Sequence, residues 1–431
     1  MSIASRELPA LLAIAPAALF EWDGLAITMA ALTLFVAAVV VAFSRRYMRA
    51  DRATGAYFGL VAALVACVLA IVSAANAIVL AFAWIASGVL LARLIGHARD
   101  LADAPEARRR AHRAFTLGDA ALLAALAMAC DHAGSLQLAA VLATAPSLPA
   151  LSAMAIGVLL VIAAAARCGL PPLSGWLLSS MTAPTPVSAL MHAGLVNAGG
   201  FLLIRFAPLM EAAPGARLVA IGLGLFAAIY GIGVMVVRPD VKRALAGSTV
   251  SQMGFMLMSC GLGAYGAALW HIVAHGLFKA WLFLGSGSTI GVRPCVPAEA
   301  DPGIRASAIA AVTLAGAAAA LLSGAGAAIV PLALAAATGA AVLVGRLRAD
   351  GPVALRTILL LAVAGLAAIQ TIGLALVHAV APPDGAAVLS PGAILALLAA
   401  LLGLWVWQQR RQAAGASLPP HLYVRLLNAG V

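Results

Sequence analysis

The chain has 431 residues, 64% of them hydrophobic and only 10% charged, with a formal net charge of +11. A soluble chain carries about 25% charged residues, so the polar surface that a soluble enzyme, a nucleic-acid binder or a disordered tail requires is missing. A mean hydropathy of +1.07 fits repeated apolar runs of about 20 residues, the length that crosses a bilayer as a helix.

In chain order, such runs fall at 24–44, 57–73, 75–94, 114–130, 152–169 and 184–204. They continue at 217–236, 246–263, 267–286, 306–324, 328–345, 355–377 and 391–408, and a shorter one at 8–20 reads as tilted or interfacial. The expectation is an all-α polytopic membrane protein of about 13–14 transmembrane helices. It forms one integral membrane domain over 1–431, in which the Ala/Gly/Leu texture after residue 300 reads as helix packing. No cleavable signal peptide is expected at the N-terminus.

Only two of the basic residues are lysines, Lys242 and Lys279. The arginines cluster between runs, at Arg45, Arg46, Arg49 and Arg52, then at Arg99, Arg108, Arg109, Arg110 and Arg113. Arg238 and Arg243, then Arg346, Arg348 and Arg356, then Arg410 and Arg411 follow on the same side if each run crosses once. Cytoplasmic loops collect such charge, so topology accounts for the excess, nucleic acid is not expected as a partner, and the C-terminus is placed in the cytoplasm. Arg205 and Arg217 break the alternation. The five cysteines (Cys67, Cys130, Cys168, Cys260, Cys295) are scattered, without the clustering that zinc or iron–sulfur sites need.

Ionisable residues inside spans are costly and are functional candidates by default. The densest set is His271, His275 and Lys279, whose i, i+4, i+8 spacing places them on one stripe of a helix. Such a stripe either relays protons or glues helices together. His192 reads equally as a hydrogen-bonded structural histidine or as part of a relay. Between the runs lies Arg167-Cys-Gly-Leu-Pro171-Pro172-Leu-Ser-Gly175, a helix break that is either part of an ion path or a loop between two helices. Asp119 falls in the first turns of the 114–130 run, where the helix dipole favours a carboxylate, and is structural or functional alike. Lys242 is a loop charge or a path residue, and the polar stretch Ser248-Thr-Val-Ser251-Gln252 suggests a hydrated wall. The ion-translocation candidates are therefore Lys279, His275, His271, His192, Arg167, Lys242 and Asp119, with Pro171, Pro172 and Gly175 marking the break. No nucleotide-binding, metalloprotease or serine-hydrolase pattern occurs in context, so no catalytic residue, metal or cofactor is expected.

Three blocks carry a resemblance. Ala183-Pro-Thr-Pro-Val-Ser-Ala-Leu-Met-His192-Ala, Asp240-Val-Lys-Arg-Ala-Leu-Ala-Gly-Ser-Thr-Val-Ser-Gln-Met-Gly-Phe255 and His271 through Lys279 to Ser288 are similar to the proton-translocating, antiporter-like subunits of respiratory complex I and the Mrp antiporters. The resemblance spans about residues 20–290 as an antiporter-like core with broken helices, and it is weaker over 300–431. His192-Ala-Gly-Leu-Val-Asn-Ala-Gly-Gly-Phe201, Gln252-Met-Gly-Phe-Met-Leu, Cys260-Gly-Leu-Gly-Ala-Tyr, Glu21-Trp-Asp-Gly-Leu, Ser44-Arg-Arg-Tyr-Met and Leu422-Tyr-Val-Arg-Leu-Leu-Asn428 resemble the DabB branch. That branch is the membrane subunit of an energy-coupled inorganic-carbon pump, and the C-terminal end is expected to leave no room for the long lateral helix of the distal complex I pump subunit. The resemblance implies a multi-pass protein of the cell inner membrane that conducts H+ or Na+. It also implies a large peripheral, zinc-containing, carbonic-anhydrase-like partner (DabA-type). The chain would be a transport subunit and not an enzyme. A proton-pumping subunit of a complex I-like or hydrogenase-linked assembly is the first alternative, and a non-conducting membrane anchor for the partner is the second. Three departures stand out. Arg167 and Ile85 occupy positions where pumping relatives carry Lys and Glu, and Ser174 lies where relatives keep a His nearby. The usual Lys/Glu switch is therefore expected to be absent, with Arg167 as a fixed charge.

Overall fold

A computed structural model describes residues 19–98, 100–289, 302–322, 326, 328–346, 353–413 and 418–429. The short run at 8–20 up to residue 18, Arg99, Arg348 and Cys295 fall outside these residues. Every regular element described is helical; over their described residues twelve of the thirteen expected runs each form one helix, and the run 184–204 is broken into two. Among the described residues, nine helical spans are long and apolar enough to cross a membrane, and Ala306–Leu322 and Ala368–His378 add shorter apolar helices.

Local chemistry sets the ends of the first helices. Helix α1 (Gly24–Tyr47) starts at Asp23, whose carboxylate accepts from the Ala26 N–H at 2.7 Å, and ends on Arg45 and Arg46. Both charges suit the helix dipole. Burial works against the Asp23 carboxylate, but hydrogen bonds from Arg205 and from the Ala26 N–H outweigh it and hold its pKa below the ordinary carboxylate value. Next come α2 (Thr54–Val72) and α3 (Ala77–Ile95), the latter capped by Asn76. Helix α4 (Ala104–Ala133) has Pro105 in its first turn and runs 30 residues. Its arginine-rich start is helical, with Glu106 paired to Arg109 and Arg110 one turn on. The helix therefore begins ten residues before the apolar run does, which moves Asp119 from the first turns to the middle of the helix. The dipole argument for Asp119 does not hold.

Helix α5 (Leu138–Ala143) is short, and α6 (Ala150–Cys168) ends at Gly169, whose φ of 65° favours glycine. After the bend at Pro171 and Pro172 come α7 (Gly175–Ser179), α8 (Thr185–Ala193) and α9 (Ala198–Arg205). Protein donors meet the freed carbonyls of the bend: the Trp176 indole donates to Ala166 O and Leu170 N to Ala165 O, both at 2.9 Å. This is the condition under which irregular backbone persists within a membrane bundle. A second interruption lies at Leu195–Asn197, a single 3-10 turn inside the span Thr185–Arg205. There Asn197 donates to Ala193 O at 2.7 Å.

Then follow α10 (Ala207–Glu211), α11 (Pro214–Val237), α12 (Val241–Gly261) and α13 (Tyr265–Gly285). The antiparallel α11 and α12 meet backbone to backbone. Gly224 faces Gly254 and Gly231 faces Gly247, each pair seven residues from the next, so the glycines line one face of each helix. A Cβ at Gly254 would stand 2.6 Å from both Ala228 N and Gly224 O. Gly254→Leu is expected to separate the two helices at a cost above the roughly 1–3 kcal/mol of ordinary overpacking. Size-exclusion profiles of the solubilised chain check this, since Gly222→Leu, at a position open to space, should leave the profile unchanged.

The C-terminal part comprises α14 (Pro302–Leu322), α15 (Ile329–Arg346), α16 (Val353–His378), α17 (Pro391–Ala413) and the short α18 (Pro420–Leu427). It packs on the core through Leu321, Val330 and Ile394 against Ile221, Met258 and Leu262.

Contacts between loops fix the two ends of the bundle. At the basic end, Asp51 meets His97, Thr182 donates to Ile95 O, and Arg238 hydrogen-bonds Ala429 O. At the other end, Arg205 pairs with Asp23 and Arg217 with Glu211. The two arginines that break the charge alternation are thus both neutralised by ion pairs.

Candidate ion-translocation site

The structure divides the sequence candidates into two separate groups. The first centres on Lys279, which is 1% exposed on α13. Its ammonium donates to Leu245 O and Ser248 Oγ, both at 3.0 Å, on α12. Leu245 O also accepts from Thr249 Oγ1, and that hydroxyl lies 3.0 Å from His192 Nδ1 on α8. The polar stretch Ser248–Gln252 therefore supplies one of the two neutral acceptors for Lys279, and the Leu245 carbonyl supplies the other. Among the described residues no carboxylate forms an ion pair with this lysine, so its charge is solvated by dipoles alone.

His275 lies one turn from Lys279 and His271 one turn further, with the two imidazoles stacked at 5.7 Å between centroids. Phe255 packs on His271 at 5.3 Å, and Phe283 stacks on His192 at 4.2 Å. Both ring nitrogens of His275, His271 Nε2 and His192 Nε2 are buried without a protein partner. Buried polar groups normally find partners, so these four nitrogens carry unmet hydrogen-bonding capacity in the bundle interior. His192 stands immediately before the interruption at Leu195–Asn197, so α8 ends where its imidazole meets α12 and α13.

The second group is Arg167 at the end of α6, 2% exposed. It forms an ion pair with Asp119 on α4 at 3.1 Å. It also donates to Trp84 O at 2.9 Å and Ser87 Oγ at 3.2 Å on α3, and lies over the Trp84 and Phe115 rings at 4.5 and 4.9 Å. Ile85 indeed offers no counter-charge, but Asp119 supplies one from the neighbouring helix. Sequence reading missed this pairing, although two opposite charges alone inside spans are a signal that they meet. Lys242 belongs to neither group: it is half-exposed in the first turn of α12, at the basic end. Pro171 and Pro172 form the bend between α6 and α7, which Gly175 opens, while the interruption beside the histidine group is the one after His192, signalled by Gly194 and Asn197.

An all-helical bundle with interrupted helices and buried cationic side chains fits a membrane transport protein. Residues 74–297 match the family described as NADH:quinone oxidoreductase/Mrp antiporter, TM, and residues 15–58 match NADH-Ubiquinone oxidoreductase (complex I), chain 5 N-terminus. The chain belongs to the NADH:quinone oxidoreductase/Mrp antiporter family. It is 36% identical over 276 residues to the probable inorganic carbon transporter subunit DabB1 of Halothiobacillus neapolitanus, covering 62% of this chain and 49% of that protein. Against the probable inorganic carbon transporter subunit DabB of Bacillus subtilis the identity is 38% over 272 residues, 62% of this chain and 54% of that one. NADH-quinone oxidoreductase subunit L of Mycobacterium tuberculosis is 36% identical over 271 residues, 62% and 43% of the two chains. The solved Mrp complex from Dietzia sp. DQ12-45-1b superposes with a TM-score of 0.64 and 25% identity, covering 98% of this chain and 55% of that one. The chain spans about half the length of the curated relatives it matches.

Proposed function

We propose that the chain is the ion-conducting membrane subunit, for H+ or Na+, of an energy-coupled complex that takes up inorganic carbon. Ions move inward along the Lys279, His275, His271 and His192 line, and their gradient drives a large peripheral DabA-type partner, a zinc protein with carbonic-anhydrase-like chemistry, to trap CO2 as bicarbonate. In this reading the chain is a single integral membrane domain of the inner membrane, with residues 20–290 as the antiporter-like core and the C-terminus in the cytoplasm. It transports and does not catalyse. The observation that carries the reading is Lys279: a buried ammonium held by Leu245 O and Ser248 Oγ alone is costly to keep, and it adjoins histidines with unfilled nitrogens. The similarity to DabB proteins supports the cargo.

A second reading, a proton-pumping subunit of a complex I-like or hydrogenase-linked assembly, is favoured by the 36% identity to a subunit L. The third, a non-conducting anchor, makes Lys279 dispensable. Co-expression of this chain with its partner in a host lacking carbonic anhydrase separates the readings. Growth in ambient air that an uncoupler abolishes is expected; no growth, with quinone-reducing subunits co-purifying, overturns the carbon reading.

A further inference from the structure

Arg167 and Asp119 form a site built very differently from that of Lys279. The ammonium of Lys279 rests on neutral oxygens, whereas the guanidinium of Arg167 is met by a carboxylate, a carbonyl, a hydroxyl and two aromatic faces. Even the backbone beside it is shaped to it, since a Cβ on Gly88 would stand 3.0 Å from its Nη1. An arginine keeps its proton in proteins and holds a carboxylate through a rigid planar fork. This group therefore neither releases a proton nor swings freely. A small cavity lies beside it, lined by Met29, Thr33, Ile71, Ser87 and Phe201 together with Arg167, and Asp119 does not reach it. Arg167 thus lines that cavity while its guanidinium pairs with a carboxylate on α4 that does not.

We propose that Arg167 and Asp119 form a fixed-charge plug that closes the α3–α4–α6 side of the bundle, so that ions pass only by the α12–α13 side. The proposal rests on the conducting reading given above. A stationary cation at the cavity wall repels cations, and its fork and the two rings fill the space that water would need. Removing both partners together avoids stranding a single buried charge, so Arg167→Ala/Asp119→Ala is the informative variant.

Two measurements test the plug in the full-length chain with its partner. The first is the reaction of Thr33→Cys, in the cavity lining but not bonded to Arg167, with a water-soluble thiol reagent in membrane vesicles, with the chain carrying only its native cysteines as the blank. With the plug present Cys formation at this position should leave the thiol unreactive, and in the Arg167→Ala/Asp119→Ala background it should react about tenfold faster or more, reflecting the gain in water access. Equal reactivity in both backgrounds overturns the plug. The second is ion flux in liposomes. Arg167→Ala/Asp119→Ala combined with Lys279→Ala should conduct about tenfold more than Lys279→Ala alone, because a second path opens; flux as low as in Lys279→Ala alone overturns the plug. If the unmodified complex conducts nothing, the conducting reading fails, and the thiol reaction still decides whether Arg167 and Asp119 seal this side.

Discussion

Lys279→Ala is expected to abolish coupled ion flow while the protein still folds, inserts and assembles. In the folded chain Lys279 is an ammonium with neutral acceptors only, Leu245 O and Ser248 Oγ. Replacing a buried charge that lacks an ionic partner removes a desolvation cost, so stability should be unchanged or raised. Flux should fall by about a hundredfold, the low end of what a positioned proton-transfer group contributes. Lys279→Arg separates charge from proton release, because arginine preserves the cation and cannot give up its proton; it should conduct as poorly as the alanine variant. Flux assays on reconstituted complex, with assembly followed by size exclusion, provide the measurement. Near-normal flux in Lys279→Ala would overturn the path through Lys279.

Arg217→Met is expected to destabilise the chain by loosening one end of the bundle. Arg217 is 1% exposed and uses its whole fork: Nε to Gly261 O at 3.0 Å, Nη1 to Glu211 at 2.7 Å and Nη2 to Ala386 O at 2.8 Å. Glu211 in turn accepts from Tyr265 Oη at 2.8 Å and Ala386 N at 3.0 Å. This cluster ties the loop between α16 and α17 to the ends of α11, α12 and α13. Breaking a fully buried pair costs about 3–5 kcal/mol. Glu211 keeps 27% of its side-chain surface accessible, so about 2 kcal/mol is the expected loss, by the same principle with the stranded carboxylate partly hydrated. Thermal unfolding in detergent checks it, and Tyr265→Phe, which removes one hydroxyl, should cost about 1 kcal/mol. A thermal midpoint for Arg217→Met equal to that of the unmodified chain would show that the clasp carries no stability.

Much of the bundle was legible because hydrophobic length is a one-dimensional signal: among the described residues the long apolar runs are helical, with 184–204 interrupted, and the arginine clusters mark one end of the bundle. The register of His271, His275 and Lys279 was legible for the same reason, since one helix carries all three. What escaped was pairing between helices. Asp119 looked like a helix-start carboxylate because charge made residues 104–113 resemble a loop, whereas salt bridges within the turn hold that stretch helical. Arg217 looked like an exception to charge topology, and only the fold shows Glu211 and the 386 carbonyl closing on it. The interruption after His192 was also missed: the prolines at 171 and 172 drew attention to the earlier bend, while Gly194 and Asn197 carried the quieter sign.

The glycine contact between α11 and α12 has a consequence for tolerance in manufacture, so to speak, of the lysine's seat. With no side chains interposed, α12 cannot roll against α11, because a slip of one residue turns a helix by about 100°. Such a slip would swing the Leu245 carbonyl and the Ser248 hydroxyl away from the ammonium together. The smallest residues in the chain thereby act as its gauge block, setting where its buried ammonium can rest.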